Sequence, residues 1–269
     1  MAHTPDTAPE HALARRTLLG GTGLALAGTL AGCTGGEPEQ DAAEGSDAQT
    51  EQRPRLPEPE IITTADWGAR TPAIHLHTLH ERPSYLVIHH TSTANTTDGS
   101  RTAAVDLAQM VQRGHMEQSW GDTGQHFTVS RGGHVLEGRH GSRVALNDGH
   151  TFMLGVHALG FNAYALGIEC EGLYMVNPPP QTLYEGLVHI CAYICQQYAL
   201  PPSRIIGHRD VVKTSCCGDA FYPKLPILRE DVRRSLETGE YQVTPGFGPD
   251  NLVDDSEITV NNYRDYVRG

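Results

Sequence analysis

The chain has 269 residues, with 20 Lys and Arg against 32 Asp and Glu, for a formal net charge of −12 with its 15 histidines neutral. That acidic balance excludes a nucleic-acid backbone as the main partner, because phosphate binding needs a basic footprint. Setting Cys33 aside leaves cysteines at 170, 191, 195, 216 and 217, an odd and irregular set that excludes a disulfide framework.

Residues 1–32 read as an export signal. Arg15-Arg16-Thr17-Leu18-Leu19 opens an apolar, glycine-dotted run of about fifteen residues, too short to span a bilayer as a permanent helix. The paired arginines resemble a twin-arginine signal, and Leu30-Ala31-Gly32-Cys33 resembles a lipobox whose cysteine is lipidated. An ordinary signal peptide with an incidental Cys33 is the alternative. One acyl chain binds a membrane only marginally, so anchoring at Cys33 would rest on several. The expected location is the outer face of the bacterial cytoplasmic membrane. Residues 33–58, acidic and rich in Gly, Pro, Gln and Ala, read as a solvated linker. Residues 59–237, about 180 in number, suffice for one domain with a single core. The extension 238–269 lacks a periodic stretch and is expected to be disordered or to drape over the domain.

"SYLVIHHT" (84–91) is a β-branched and aromatic run that predicts a buried strand. After Ser100, Ala104, Val105, Ala108 and Val111 fall at helical spacing, with an expected end near Gly114. "QHFTVSRGGHVLEG" predicts a hairpin turning at Arg131-Gly132-Gly133. "ALGIECEGLY" (165–174) alternates as a strand does. A helix starts near Thr182, its apolar stripe running from Leu183 to Tyr198 and including Cys191 and Cys195 as small buried hydrophobes. "SRIIGH" predicts a short strand, and Ile227, Leu228, Val232 and Leu236 a last helix. Strands interleaved with helices predict a single α/β domain, a central mixed sheet flanked by helices.

Polar groups gather at three places along these strands: His89-His90, Glu169, and His208 with Cys216. Two histidines and a thiolate suit Zn²⁺ with a fourth position open, and a nearby carboxylate then serves as proton carrier. His75, His77 and His80 lack a partner carboxylate or thiol and read as surface residues. Cys216-Cys217 lacks the C-x-x-C spacing of a redox motif.

"VIHHT", "GQHFTVSRGGHVLEGR", "HALGFNAYALGIECEG" and "GHRDVVKTSCCG" follow the order and spacing of the zinc N-acetylmuramoyl-L-alanine amidases, a group that includes phage lysozyme-type amidases and peptidoglycan recognition proteins. "DWGAR" (66–70) is similar to the tryptophan segment that opens the recognition-protein domain. The resemblance covers residues 59–237. It implies hydrolysis of the bond between N-acetylmuramic acid and L-alanine, with peptidoglycan as partner and Zn²⁺ held by His89 rather than His90, His208 and Cys216. Family sequences read T-x-C-P-G where this chain has Thr214-Ser215-Cys216-Cys217-Gly218, so Cys217 fills a proline slot. A vicinal disulfide is the alternative there.

"LGIECEG" is similar to the "IGIELEG" of the anhydro-muropeptide amidases, which implies Glu169 as the base, with Glu171 on the same strand face. A purely structural carboxylate is the alternative. Thr214, or its neighbour Lys213, is implied as oxyanion support. His157 and Asn162 match the groove-lining segment, and Gln125, His126 and Arg139 are further groove candidates. Gln125 stands where relatives place a tyrosine, which leaves a phenol missing. Non-catalytic relatives keep the fold and bind peptidoglycan without cutting it, but typically lose the ligand cysteine that Cys216 provides here.

Overall fold

In the computed structural model, which describes residues 54–250 and Leu252, the chain runs in order through Ile61–Ile62 (β1), Thr78–Leu79 (β2), Tyr85–His90 (β3), Arg101–Glu117 (α1), Phe127–Val129 (β4), Val135–Glu137 (β5), Ser142–Asp148 (α2), Phe152–Met153 (β6), Ala165–Cys170 (β7), Gln181–Tyr198 (α3), Ile205–Gly207 (β8) and Leu225–Thr238 (α4). Six of the strands form a sheet in the order β1-β5-β4-β7-β3-β8. Only the β4–β5 hairpin is antiparallel; the other neighbours are parallel, so the sheet is mixed as expected. Gly133 closes the hairpin turn at a φ of 85°, a conformation that costs a side-chain-bearing residue but not glycine.

Alternation along β3 and β7 sorts their residues onto two faces. Leu86, Ile88, Leu166 and Ile168 point into the main core with Leu183, Leu187, Ile190 and Ile194 of α3 and Leu228 and Val232 of α4. Each such fully buried aliphatic side chain contributes about 1.5–3 kcal/mol of transfer free energy. Cys191 and Cys195 are buried in the same cluster, and neither forms a disulfide.

The opposite face carries Val87 and His89 of β3, in register with Gly167 and Glu169 of β7. Thr128 of β4 pairs with Glu169 from the other side. Helix α1 covers only the far end of this face, where Ala104 and Ala108 pack with Ile62, Trp67 and Leu136. Trp67 anchors that end by donating from its indole Nε1 to the Glu137 carbonyl at 2.8 Å. The Ser100 hydroxyl caps α1 by accepting from the Ala103 N–H at 3.2 Å. The helix runs one turn past Gly114, to Glu117, because a lone glycine costs only about 1 kcal/mol in a helix.

Both ends of the domain extend further than the sequence pattern suggests. Leu56 is buried, donates to Gln196 Oε1 at 2.7 Å and accepts from Gln196 Nε2 at 3.1 Å, so residues 54–58 belong to the folded part rather than to the linker. After α4 the chain drapes over α3: Phe247 stacks on Tyr184 with ring centroids 3.5 Å apart, and Gln181 N–H donates to the Pro249 carbonyl at 3.1 Å. Asp231, fully buried, fastens this strap by accepting from Tyr184 Oη at 2.6 Å, Thr244 N at 2.8 Å and Thr244 Oγ1 at 2.7 Å. The export signal and Cys33 lie outside the described residues.

Candidate metal centre and catalytic face

Strand β3 ends in two histidines that alternation sends to opposite faces. His90 lies on the core side, where its Nδ1 accepts from the Tyr174 N–H at 3.4 Å and its Nε2 lies 3.1 Å from Ser92 Oγ. His89, on the opposite face, is 3% exposed. Strand β8 pairs with β3 through Ile88 and Gly207, so the next residue, His208, arrives beside His89 with ring centroids 4.3 Å apart.

The loop after β8 brings the thiol. Thr214 Oγ1 accepts from the Cys216 N–H at 3.2 Å, and the His90 N–H donates to Cys216 Sγ at 3.4 Å. Arg209 staples the loop: its Nε donates to the Cys216 carbonyl at 3.1 Å, its Nη2 donates to the Ser215 carbonyl, and its Nη1 pairs with Asp219 at 2.8 Å. Gly218 closes the turn at a φ of 107°, where a Cβ would lie 2.2 Å from the Tyr174 carbonyl oxygen. The bond between Cys216 and Cys217 is cis, and both thiols are free.

His89, His208 and Cys216 thus offer donor atoms that all lie within 4.8 Å of one another. Among the described residues this is the one such cluster, and the exposed His75, His77 and His80 take no part in it. The donors fit Zn²⁺ on three counts. His89 Nδ1 and Cys216 Sγ are 3.8 Å apart, close to the roughly 3.5 Å edge that zinc–nitrogen and zinc–sulfur bonds subtend in a tetrahedron. His208 Nε2 is buried without any hydrogen-bond partner, an atom that a cation would satisfy. Burial, reinforced by His157 and His208, holds His89 well below the usual histidine range and therefore in the neutral, ligating form. Burial also pushes the Cys216 thiol well up, so its thiolate needs a cation beside it.

Glu169 faces the same space from the neighbouring strand, in register with His89. Burial lifts its carboxyl to about 8. Glu171, two residues on, accepts from the Arg131 N–H at 2.7 Å and helps line a cleft of about 530 Å³ with Thr93, Asp98, Asp106, Met110 and Arg113. That cleft runs between α1 and the loop after β3.

Several expected groove residues are instead internal supports. Gln125 and His126 are both 0% exposed. Gln125 Nε2 donates to Thr128 Oγ1 at 2.9 Å, and His126 bridges the Met153 carbonyl at 2.6 Å and the Gly167 N–H at 2.9 Å. Arg139 is buried too, with Nη1 donating to the Thr123 carbonyl at 2.8 Å. His157, half-buried, has both ring nitrogens occupied, Nδ1 by His89 Nε2 and Nε2 by the Ala165 carbonyl, each at 3.1 Å. Asn162 Oδ1 accepts from the His157 and Ala158 N–H groups at 2.8 Å and so holds its own loop. Lys213 is exposed, and Thr214 sits in the ligand loop itself. The residue that sequence reasoning missed is Arg209. Its signal was its place beside His208 in "GHRD".

A family model described as N-acetylmuramoyl-L-alanine amidase matches residues 79–219. Human peptidoglycan recognition protein 3 is 31% identical over 65% of this chain and 48% of its own length. Human N-acetylmuramoyl-L-alanine amidase is 30% identical over 62% of this chain and 28% of its own. The chain therefore spans half or less of the length of these two relatives. Among solved structures, the N-acetylmuramoyl-L-alanine amidase LysC from Clostridium intestinale superimposes with a TM-score of 0.50 at 25% identity, covering 66% of this chain and 97% of that one. The sheet, the cluster at the ends of β3 and β8, and the matched segment all agree: the chain belongs to the N-acetylmuramoyl-L-alanine amidase family.

Proposed function

We propose that the protein hydrolyses the amide bond between N-acetylmuramic acid and L-alanine in peptidoglycan. One observation carries this reading: three donors suited to zinc converge beside a carboxylate at the end of the sheet. His89, His208 and Cys216 would hold the ion. When bound, Zn²⁺ supplies Lewis acidity, polarising a carbonyl and lowering the pKa of water toward about 7. Glu169 takes the proton of the attacking water on a carboxylate oxygen and returns it to the departing alanine nitrogen. The Thr214 hydroxyl accepts from the Cys216 N–H and keeps its own hydrogen to donate to the developing oxyanion, with Lys213 next to it in the chain. Asp106, Arg113 and Glu171 offer charged contacts to a stem peptide lying in the cleft.

The experiment is a digest of purified cell walls by the full chain and its Glu169→Gln variant. Wild type releases stem peptides, and the variant keeps its zinc but loses roughly 10²–10⁴-fold in rate. Undiminished release by the variant would remove Glu169 from the chemistry. A second reading, a peptidoglycan-binding module that does not cut, is favoured by Gln125, which is buried and offers no phenol to the site. Under it, zinc-loaded wild type would retain cell walls without releasing peptides.

We also propose that the protein is exported and lipid-anchored through Cys33, a reading supported by the arginine pair, the apolar run and the lipobox-like segment. A Cys33→Ser variant that still partitions with membranes would overturn it.

A further inference from the structure

His157 lies next to the proposed zinc ligands but offers none of the converging donors itself. Its ring is nevertheless tightly seated. A Cβ at Gly167 would fall 2.6–2.9 Å from three of its ring atoms, so only glycine there leaves the ring its place. Asn162 Oδ1 pins the backbone on either side of the Cα by accepting from the His157 and Ala158 N–H groups, at 2.8 Å each. The His89 and His157 rings meet edge to face, 5.1 Å apart at 89°.

The hydrogen bonds of these two rings determine where their protons sit. The Ala165 carbonyl can only accept, so His157 Nε2, 3.1 Å away, carries a hydrogen. In a neutral imidazole the other nitrogen is then bare, and His157 Nδ1 must accept. Its partner at 3.1 Å is His89 Nε2, which therefore carries the hydrogen between them. That leaves His89 Nδ1 with a free lone pair, and Nδ1 is the atom 3.8 Å from Cys216 Sγ. We infer that His157, oriented by the Ala165 carbonyl, is a positioning residue that fixes His89 as an Nδ1 metal ligand. A ligating histidine commonly has its second nitrogen held by such an outer partner, which sets the tautomer and ring orientation. Here the outer partner is a second histidine relayed to a backbone carbonyl. The inference rests on the zinc-site reading and adds a role for His157, Gly167 and Asn162.

Zinc affinity of the full chain, measured by competition with a chelator, tests it. His157→Ala is expected to weaken binding about 10–100-fold at a temperature where the metal-free variant is still folded by calorimetry. His157→Asn, which returns an acceptor near the Nδ1 position, is expected to recover most of the loss. On the unmutated chain loaded with cadmium-113, nitrogen-15 histidine spectra should show metal coupling to His89 Nδ1 and a proton on His89 Nε2. Wild type that binds no zinc would overturn the site reading and this inference together. Tight wild-type binding with an unchanged His157→Ala affinity, or coupling to His89 Nε2, would overturn the inference alone.

Discussion

Arg209 sits between the proposed ligands His208 and Cys216 and grips the backbone of the second. Its guanidinium reaches two successive carbonyls, Ser215 and Cys216, and Asp219 holds its remaining edge. A planar fork with fixed donors suits this task as a lysine would not. Arg209→Lys should therefore loosen the loop and weaken zinc binding by about tenfold, the lower end of outer-partner effects. Chelator competition checks it, and an unchanged affinity would show that the loop holds its shape without the fork. His126 makes a separate prediction. Burial, with the His157 ring beside it, drops His126 to about 3, so it stays neutral in the fold where a free histidine would begin to charge near 6.5. The unfolded chain then binds the extra proton, and stability is lost as pH falls from 6.5 toward 3. This group alone contributes up to about 1.4 kcal/mol per pH unit across that window. A proton titration of the metal-free protein should show a His126 resonance that does not move between pH 7 and 5, and a midpoint near 6.5 would contradict the burial argument.

The elements that could be read in the sequence were those with enough residues to show a period. Strands β3 and β7, the β4–β5 hairpin and helices α1, α3 and α4 all appear where alternation or helical spacing placed them, within a few residues. Strands β1, β2 and β6 are two residues each and form only because a distant partner presents an edge, as Ile61 and Ile62 pair with Val135 and Leu136. A two-residue strand has no period to detect. The site divides in the same way. His89, Glu169, His208 and Cys216 could be named because residue type and motif order coincide. Gln125, His126 and His157 match motif positions too, but their hydrogen bonds run inward to partners such as Thr128, Met153 and Ala165. A linear motif cannot separate a side chain that touches substrate from one that holds the residue that does. Draping of the segment after α4 was one of two expectations, but its contacts were illegible, since Thr244 and Phe247 have partners only in the folded chain. Removing its anchor with Asp231→Ala leaves the Tyr184 hydroxyl and the Thr244 N–H buried without an acceptor, at a cost of about 2–5 kcal/mol. For a domain of this size that corresponds to a melting temperature lower by roughly 5–15 °C. A scanning calorimetry trace unchanged within a degree would mean that the strap is not fastened there.

At the scale of the whole molecule, the sheet separates two tasks. One face is filled by α3 and α4 and supplies stability; the other carries Ala104 and Ala108 of α1 at one end and His89 and Glu169 at the ends of β3 and β7. The three donors converge beside Glu169, and Glu171, two residues on from Glu169, lines the cleft along α1. The most direct test of this account is mass spectrometry of purified peptidoglycan after incubation with the full chain, with bound zinc counted on the same sample. The expected result is about one zinc per chain and soluble stem peptides with a free L-alanine amino terminus, both lost in Cys216→Ser. Zinc-loaded protein that binds the wall and leaves every muramoyl–alanine bond intact would contradict it.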